Sequence, residues 1–234
     1  QEIGLQNPAS VRVYGTGGYL LPEKFSEGHT DDLEALPLYM HKGTDGIFGP
    51  GDHILFYAQG PESWTYDEAR SIYLHHLHDF SWKGYYFLTD SKGVADAPYD
   101  AELSTEAHTH NVSSYDFRDF HEDEFYNLIN SGKKWYGDLF SVNLTEDYLF
   151  QMDERIDGEP VQIQVVAAAR AGTSSTFSVS ANNDALGTIS ISGTNLSHYT
   201  STYAYETSKQ FSYEPLGNDL TVSLTYNRPD ANAR

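Results

Sequence analysis

From residue 161 onward, apolar and polar side chains alternate in short runs. Val161 to Ala169 reads VQIQVVAAA, Thr176 to Ala181 reads TFSVSA, Leu186 to Ile191 reads LGTISI, and Leu220 to Tyr226 reads LTVSLTY. Phe211 and Tyr213 mark one further strand. Successive side chains of a strand point to opposite faces, so a period of two means one buried face and one solvated face. Polar turns such as Asn182-Asn183-Asp184 separate the runs. That rhythm predicts a β-sandwich or jelly roll. Its expected inward positions include Ile163, Val165, Phe177, Val179, Ile189, Ile191, Val222 and Leu224.

The earlier part of the chain carries shorter runs. Val11 to Tyr14 predicts a first strand, closed by Gly15-Thr16-Gly17-Gly18. Tyr19 to Pro22 is a second short apolar piece, residues 24–35 are mostly polar, and Leu36 to Tyr39 is a proline-marked edge segment. The organising stretch is Asp45 to Trp64, DGIFGPGDHILFYAQGPESW. A compact Gly/Pro turn there leads into Ile54, Leu55, Phe56 and Tyr57. The run is too short for a helix and has turn signals on both sides, so it predicts a buried strand. Ser71 to Leu77 and Tyr85 to Thr89 read as two more strands, with Asp79 to Gly84 as the hairpin loop between them. From Asp119 to Ile129 the pattern changes. Phe120, Phe125, Leu128 and Ile129 suit one side of a short helix, with acids early and Asn130-Ser131-Gly132 as its stop. SGKKWYGD, Ser131 to Asp138, leads into a strand at Leu139 to Val142 and reads as a domain junction. The expectation is an all-β chain of two β-rich domains, residues 1–130 and 131–234. The second would be a β-sandwich of jelly-roll type, with at most one or two short helices in the whole chain.

Composition narrows the function. The 234 residues hold 34 acids against 14 Lys and Arg, a net charge of −20. A chain so acidic repels phosphate backbones and anionic lipid, which argues against nucleic acid. The acids are scattered, as on a solvated surface. The absence of cysteine excludes a disulfide framework, a thiolate zinc site and a thiol nucleophile within this chain. No apolar run approaches the roughly 20 residues that span a membrane as a helix. No signal peptide is visible, as in a mature secreted domain.

Candidate chemistry is sparse. The spacing of a calcium loop can be laid over His41, Gly43, Asp45, Gly46, Ile47 and Asp52 at positions one, three, five, six, seven and twelve. Such a loop needs oxygen ligands at one, three and five, and His41 and Gly43 remove two of them. A Gly/Asp turn entering a strand is the preferred reading, and no tightly bound ion is expected. His75, His76 and His78 resemble a metal cluster, but in a strand His75 faces away from the other two, and so would Asp79. Aromatic packing and hydrogen bonding are the expected uses. His108 and His110 form a second pair with no further ligand in view. The Gly15 to Gly18 cluster lacks the lysine of a phosphate loop, so a tight turn is expected. Tyr199, Tyr203 and Tyr205 could form a carbohydrate platform, although edge or core positions are their commoner use. Asn111-Val112-Ser113 fits a glycosylation triplet, a pattern common by chance. No GxSxG elbow, HExxH helix or Walker loop is present. The chain reads as non-catalytic, with no catalytic, cofactor-binding or metal-ligating residue assigned.

Several pieces occur in a telling order: VRVYGTGGYLLPE (11–23), DDLEALPLY (31–39), DGIFGPGDHILFYAQGPESWTYD (45–67), YYFLT (85–89), SGKKWYGD (131–138) and LTVSLTYNRPDANAR (220–234). Together they resemble the N-terminal region of the gingipain-like cysteine signal peptidases, or sortases, of the type IX secretion system of Bacteroidetes. In that family these pieces precede the peptidase domain that holds the catalytic His and Cys. The resemblance implies a non-catalytic scaffold of an enzyme that removes C-terminal signal domains from secreted cargo. It implies as partners the chain's own peptidase domain, cargo signal domains and other secretion components. It implies a place on the extracellular side of the outer membrane, reached through a signal peptide that this sequence lacks. Family members often have acids or Asn where this chain has His41 and Gly43, a departure that weakens any calcium role. The competing expectation is a stand-alone secreted adhesin or carbohydrate-binding β-sandwich.

Overall fold

The structure, a computed structural model, describes residues 10–16, 22–28, 32–91, 106–130, 132 and 134–234. The chain is all-β. It divides into two compact units, Gln1–Ser114 and Tyr115–Arg234. That division falls earlier than the 130/131 junction read from the sequence. The reason lies with Tyr136 and Asp138, whose side chains join the second unit: Tyr136 Oη donates to Glu206 at 2.8 Å, and Tyr148 Oη donates to Asp138 at 2.8 Å.

The second unit is a sandwich of six strands: β7 (Thr145–Gln151), β8 (Val161–Ala169), β9 (Ser175–Ala181), β10 (Asp184–Ile191), β11 (Tyr205–Tyr213) and β12 (Asp219–Asn227). One antiparallel sheet has the order β10-β9-β12-β7 and the other pairs β11 with β8. A full jelly roll would have eight strands. The β9–β10 hairpin turns through Asn182 and Asn183, both at positive φ (48° and 73°). Asn tolerates that conformation, and two such residues make a turn matched to strand twist. Inward residues of both sheets form one core: Val165, Ala167, Phe177, Val179, Ile189, Ile191, Phe211, Val222, Leu224 and Tyr226 are buried. Ile163 packs against that core half-buried. The alternation thus places the expected inward set on the inner faces. The outer edge of β10 is capped by β11, where Lys209 Nζ donates to the Thr188 carbonyl at 2.7 Å and Thr207 Oγ1 to the Ser190 carbonyl at 3.3 Å. Side chains that occupy edge carbonyls remove a template for unwanted strand addition.

Among the described residues, the first unit shows three two-stranded antiparallel ribbons. They pair β1 (Arg12–Tyr14) with β6 (Phe87–Thr89), β2 (Leu38–His41) with β3 (His53–Phe56), and β4 (Glu62–Asp67) with β5 (Ile72–Leu77). A 3₁₀ turn spans Phe25–Glu27. Val11, Val13, Leu38 and Ile72 are its buried apolar residues among those described.

Four expectations need correction. The run Ile54 to Tyr57 is not buried on both faces: Ile54 and Phe56 are half-buried, while Leu55 and Tyr57 face out. A ribbon of two strands has only one face to cover. Second, β5 and β6 do not pair with each other. Asp67 accepts the Arg70 guanidinium at 2.7 Å and the Arg70 amide at 3.1 Å, tightening a turn that folds β5 back on β4 instead. Third, residues 119–129 are not helical. The Phe125 and Tyr126 amides donate to Tyr136 O at 3.0 and 2.8 Å, and the Tyr136 amide returns to Tyr126 O at 2.9 Å. Backbone groups spent on that ladder are lost to a helix. Fourth, Leu139 to Val142 forms a turn, with Val142 exposed and Phe140 set edge-on against Phe177. The segment Tyr19 to Leu21 lies outside the described residues.

Candidate functional site

In the first unit, the loop joining β2 to β3 is stacked shut at its base. His41 and His53 pair across the ribbon with ring centroids 4.9 Å apart. Asp45 accepts the Ile47 amide at 2.9 Å, and Asp52 accepts the Gly49 amide at 2.7 Å. The two carboxylates of the calcium-like spacing therefore hold the turn's own backbone. Gly43, at φ 62°, lies close against Asp52, where an added Cβ would meet Oδ1 at 3.1 Å. The β4–β5 ribbon separates the histidines as alternation requires. His75 packs on Trp64 at 4.8 Å, on the face where Tyr66 meets Tyr73 at 4.9 Å, while His76 pairs with Ser63 on the other face. His78 lies past the strand end and accepts the Phe80 amide at 3.1 Å. Among the described residues, no group of three or more His, Asp or Glu is placed to hold a metal ion.

In the second unit the three tyrosines go separate ways. Tyr199 is almost fully exposed and stacks on His198 at 5.9 Å. Tyr203 lies under the Arg170 guanidinium, 4.0 Å from the ring centroid, and Tyr205 opens β11. His108 and His110 sit in exposed irregular chain, with His110 Nδ1 2.9 Å from Thr109 Oγ1.

One constellation escaped the sequence reading. Gly137 approaches the Asp123 backbone so closely that an added Cβ would lie 3.1 Å from its carbonyl oxygen. The approach brings His121 Nε2 to 3.5 Å from Asp123 and 3.4 Å from Asp138. The His121 ring lies 4.5 Å from Tyr148 of β7, whose hydroxyl donates to Asp138. His121 and Asp138 are far apart in sequence, and no motif marks them. The group has no nucleophile. It ties His121 and Asp138 to the sheet edge. Burial first, then the hydrogen bond to Asp138 and the charges of Asp138, Glu146 and Asp123, push the Tyr148 hydroxyl well above the ordinary tyrosine range. Burial and Glu206 do the same to Tyr136.

These shifts give a pH prediction. The folded chain keeps both hydroxyls neutral where the unfolded chain ionises, near pH 10. Their contribution to stability is therefore complete below pH ~10 and is lost as pH rises beyond it. Tyr148→Phe should lower stability at pH 8 by about 1 kcal/mol and flatten the alkaline decline. Urea midpoints measured from pH 8 to 11 check this, and an equal alkaline slope in both proteins would contradict it.

The fold and side chains so far define a β-rich module of two units, without a thiol to serve as nucleophile. No protein-family model matches the chain, and no curated protein does. Among solved structures, the chain is similar to the crystal structure of dimeric latent PorU from Porphyromonas gingivalis. The TM-score is 0.68 and the identity 28%, over 96% of this chain and 21% of that one. The chain thus has a PorU-like fold and spans about a fifth of the length of PorU.

Proposed function

We propose that the chain is the non-catalytic N-terminal region of a PorU-like, gingipain-type cysteine peptidase, acting as the scaffold on which the peptidase domain sits. The observation that carries this reading is a similarity to PorU that runs through 96% of the chain and leaves most of PorU unmatched. The lack of cysteine agrees with it, because a thiol peptidase needs a thiolate and a base to activate it. On this reading the enzyme works at the cell surface, outside the outer membrane, and removes C-terminal signal domains from type IX secretion cargo. The chain's partners are its own peptidase domain, the cargo signal domains and other secretion components. A second copy is a further partner, since the PorU in that crystal structure is dimeric.

The test sets the full-length gene product beside residues 1–234. The gene, translated past Arg234, should encode a Cys/His peptidase domain. The full-length protein should release the signal domain from a cargo protein, and the chain alone should not. Cleavage by the chain alone would refute the non-catalytic assignment. A stop codon or further β repeats after Arg234 would favour the adhesin or carbohydrate-binding reading. Deletion of residues 1–234 that leaves cleavage unchanged would remove the scaffold role.

A further inference from the structure

The approach to β6 exposes an arrangement that the scaffold role does not use. Tyr86 is pinned inward. Its hydroxyl donates to the Gln59 carbonyl at 2.7 Å, and its ring meets Phe56 edge-on at 5.4 Å. It also occupies the space that Gly15 leaves open, where an added Cβ would lie 2.8 Å from Tyr86 Cδ1. Side chains alternate along extended backbone. Fixing Tyr86 inward therefore turns Tyr85 and Phe87 outward, where they are 69% and 59% exposed. The two rings line an open depression of about 400 Å³ together with Thr16, His78, Ser81 and Lys83.

The polar groups of this depression share one character. Phe80 N–H donates to His78 Nδ1, so the proton of the neutral ring lies on Nε2, which is a donor. Ser81 donates to the Lys83 carbonyl at 2.9 Å and accepts the Lys83 amide at 3.2 Å, which fixes the loop that carries Lys83. Among the described residues, Lys83 has no ion pair. Among the described residues, no carboxylate lines the depression, although the chain has 34 acids. An ammonium, an N–H donor and hydroxyls beside two aromatic rings suit a ligand rich in acceptors, negatively charged, and with apolar C–H faces to lay on the rings. A bare anion would leave the rings unused, and a neutral apolar ligand would leave the ammonium unanswered.

We propose that this depression binds an acidic saccharide, with its carboxylate toward Lys83 and His78 and a sugar face on Tyr85. The chain's overall charge repels anions elsewhere, so the site selects by position as well as by contact.

The test is calorimetric titration of the chain at low ionic strength with three probes. They are a tetrasaccharide of alternating glucuronic acid and N-acetylglucosamine, the neutral cellotetraose, and sodium acetate. The acidic tetrasaccharide should bind, more weakly as salt rises, while the other two should give no saturable heat. Lys83→Gln and Tyr85→Ala should each weaken binding about tenfold or more. Both side chains are exposed, so the melting temperature should not move. If one variant does melt lower, the other still decides. Equal binding of cellotetraose would overturn the anionic requirement, and equal binding of acetate would overturn the saccharide. No binding of the acidic tetrasaccharide, or full affinity in a normally folded variant, would overturn the site.

Discussion

Phe177→Ala should destabilise the second unit by about 3–5 kcal/mol, the usual cost of truncating a buried phenylalanine. Phe177 sits on β9 in the middle of the four-stranded sheet and is 4% exposed. Its ring stacks on Tyr226 of β12 at 4.7 Å and receives Phe140 edge-on at 5.1 Å. The truncation removes both contacts and leaves a cavity between neighbours held by the sheet ladder, which relaxes poorly. Leu149 is the matched control. It is also a large apolar residue of this sheet, on β7, but it is 64% exposed. Leu149→Ala should stay within about 0.5 kcal/mol of the parent, as surface changes usually do. The measurement is the urea midpoint of the full chain, with hydrogen exchange of β9 and β12 amides to assign the loss to this unit. Similar losses for both variants would mean that β7 and β9 have been assigned the wrong faces.

That contrast marks how far the sequence could be read. The alternation is strict over β9 and β12 and interrupted over β8, where Val165 to Ala169 is all apolar, and over β10, which bulges between Ala185 and Gly187; all four strands lie where the pattern puts them. One buried face and one wet face leave a two-residue period that local reading detects. β7 has the same geometry but reads TEDYLFQ, with acids early and Leu149 facing out, so its period is blurred. β4, with ESWTYD, hides its aromatics among Ser and Thr. Missing β4 led directly to pairing β5 with β6. The four apolar residues between 119 and 129 do fit a helix, but a backbone pairing to Tyr136 decides otherwise. That partner lies beyond a local window, and tertiary pairing commonly overrides propensity.

The side-chain constellations were legible only where they are local. The positions of His75 and His76 on opposite faces follow from strand alternation alone. The Asp45 and Asp52 contacts follow from turn chemistry. The His121, Asp123, Asp138 and Tyr148 group and the depression beside Tyr85 each need chain crossings that no spacing announces. In the depression, the deciding feature is that none of the described residues lining it is a carboxylate, in a strongly acidic chain. Only three dimensions can show that.

Gly193→Ala should cost about 1–3 kcal/mol or more, as expected of overpacking in a tight site. Gly193 follows β10 at a point where the chain crosses the β8–β9 connection. The Thr194 amide donates to the Ala171 carbonyl at 2.7 Å, and the Thr194 hydroxyl donates to the Thr202 carbonyl. A Cβ on Gly193 would lie 2.6 Å from Thr173 C, 2.7 Å from its Cα and 2.9 Å from its N. All three are backbone atoms, so no rotamer change relieves the overlap. The β8–β9 connection joins the two sheets of the sandwich, and shifting it pulls on the buried Ala171 and Thr194. Gly172, on the same connection, separates this clash from the general effect of replacing glycine. Its Cβ would meet only Leu196 Cδ1, at an ordinary 3.5 Å. Gly172→Ala should therefore be neutral or stabilise by up to about 1 kcal/mol, because alanine narrows the unfolded ensemble. Urea midpoints of the two variants should fall on opposite sides of the parent or nearly so. A Gly193→Ala protein as stable as Gly172→Ala would show that the two connections do not cross at this distance.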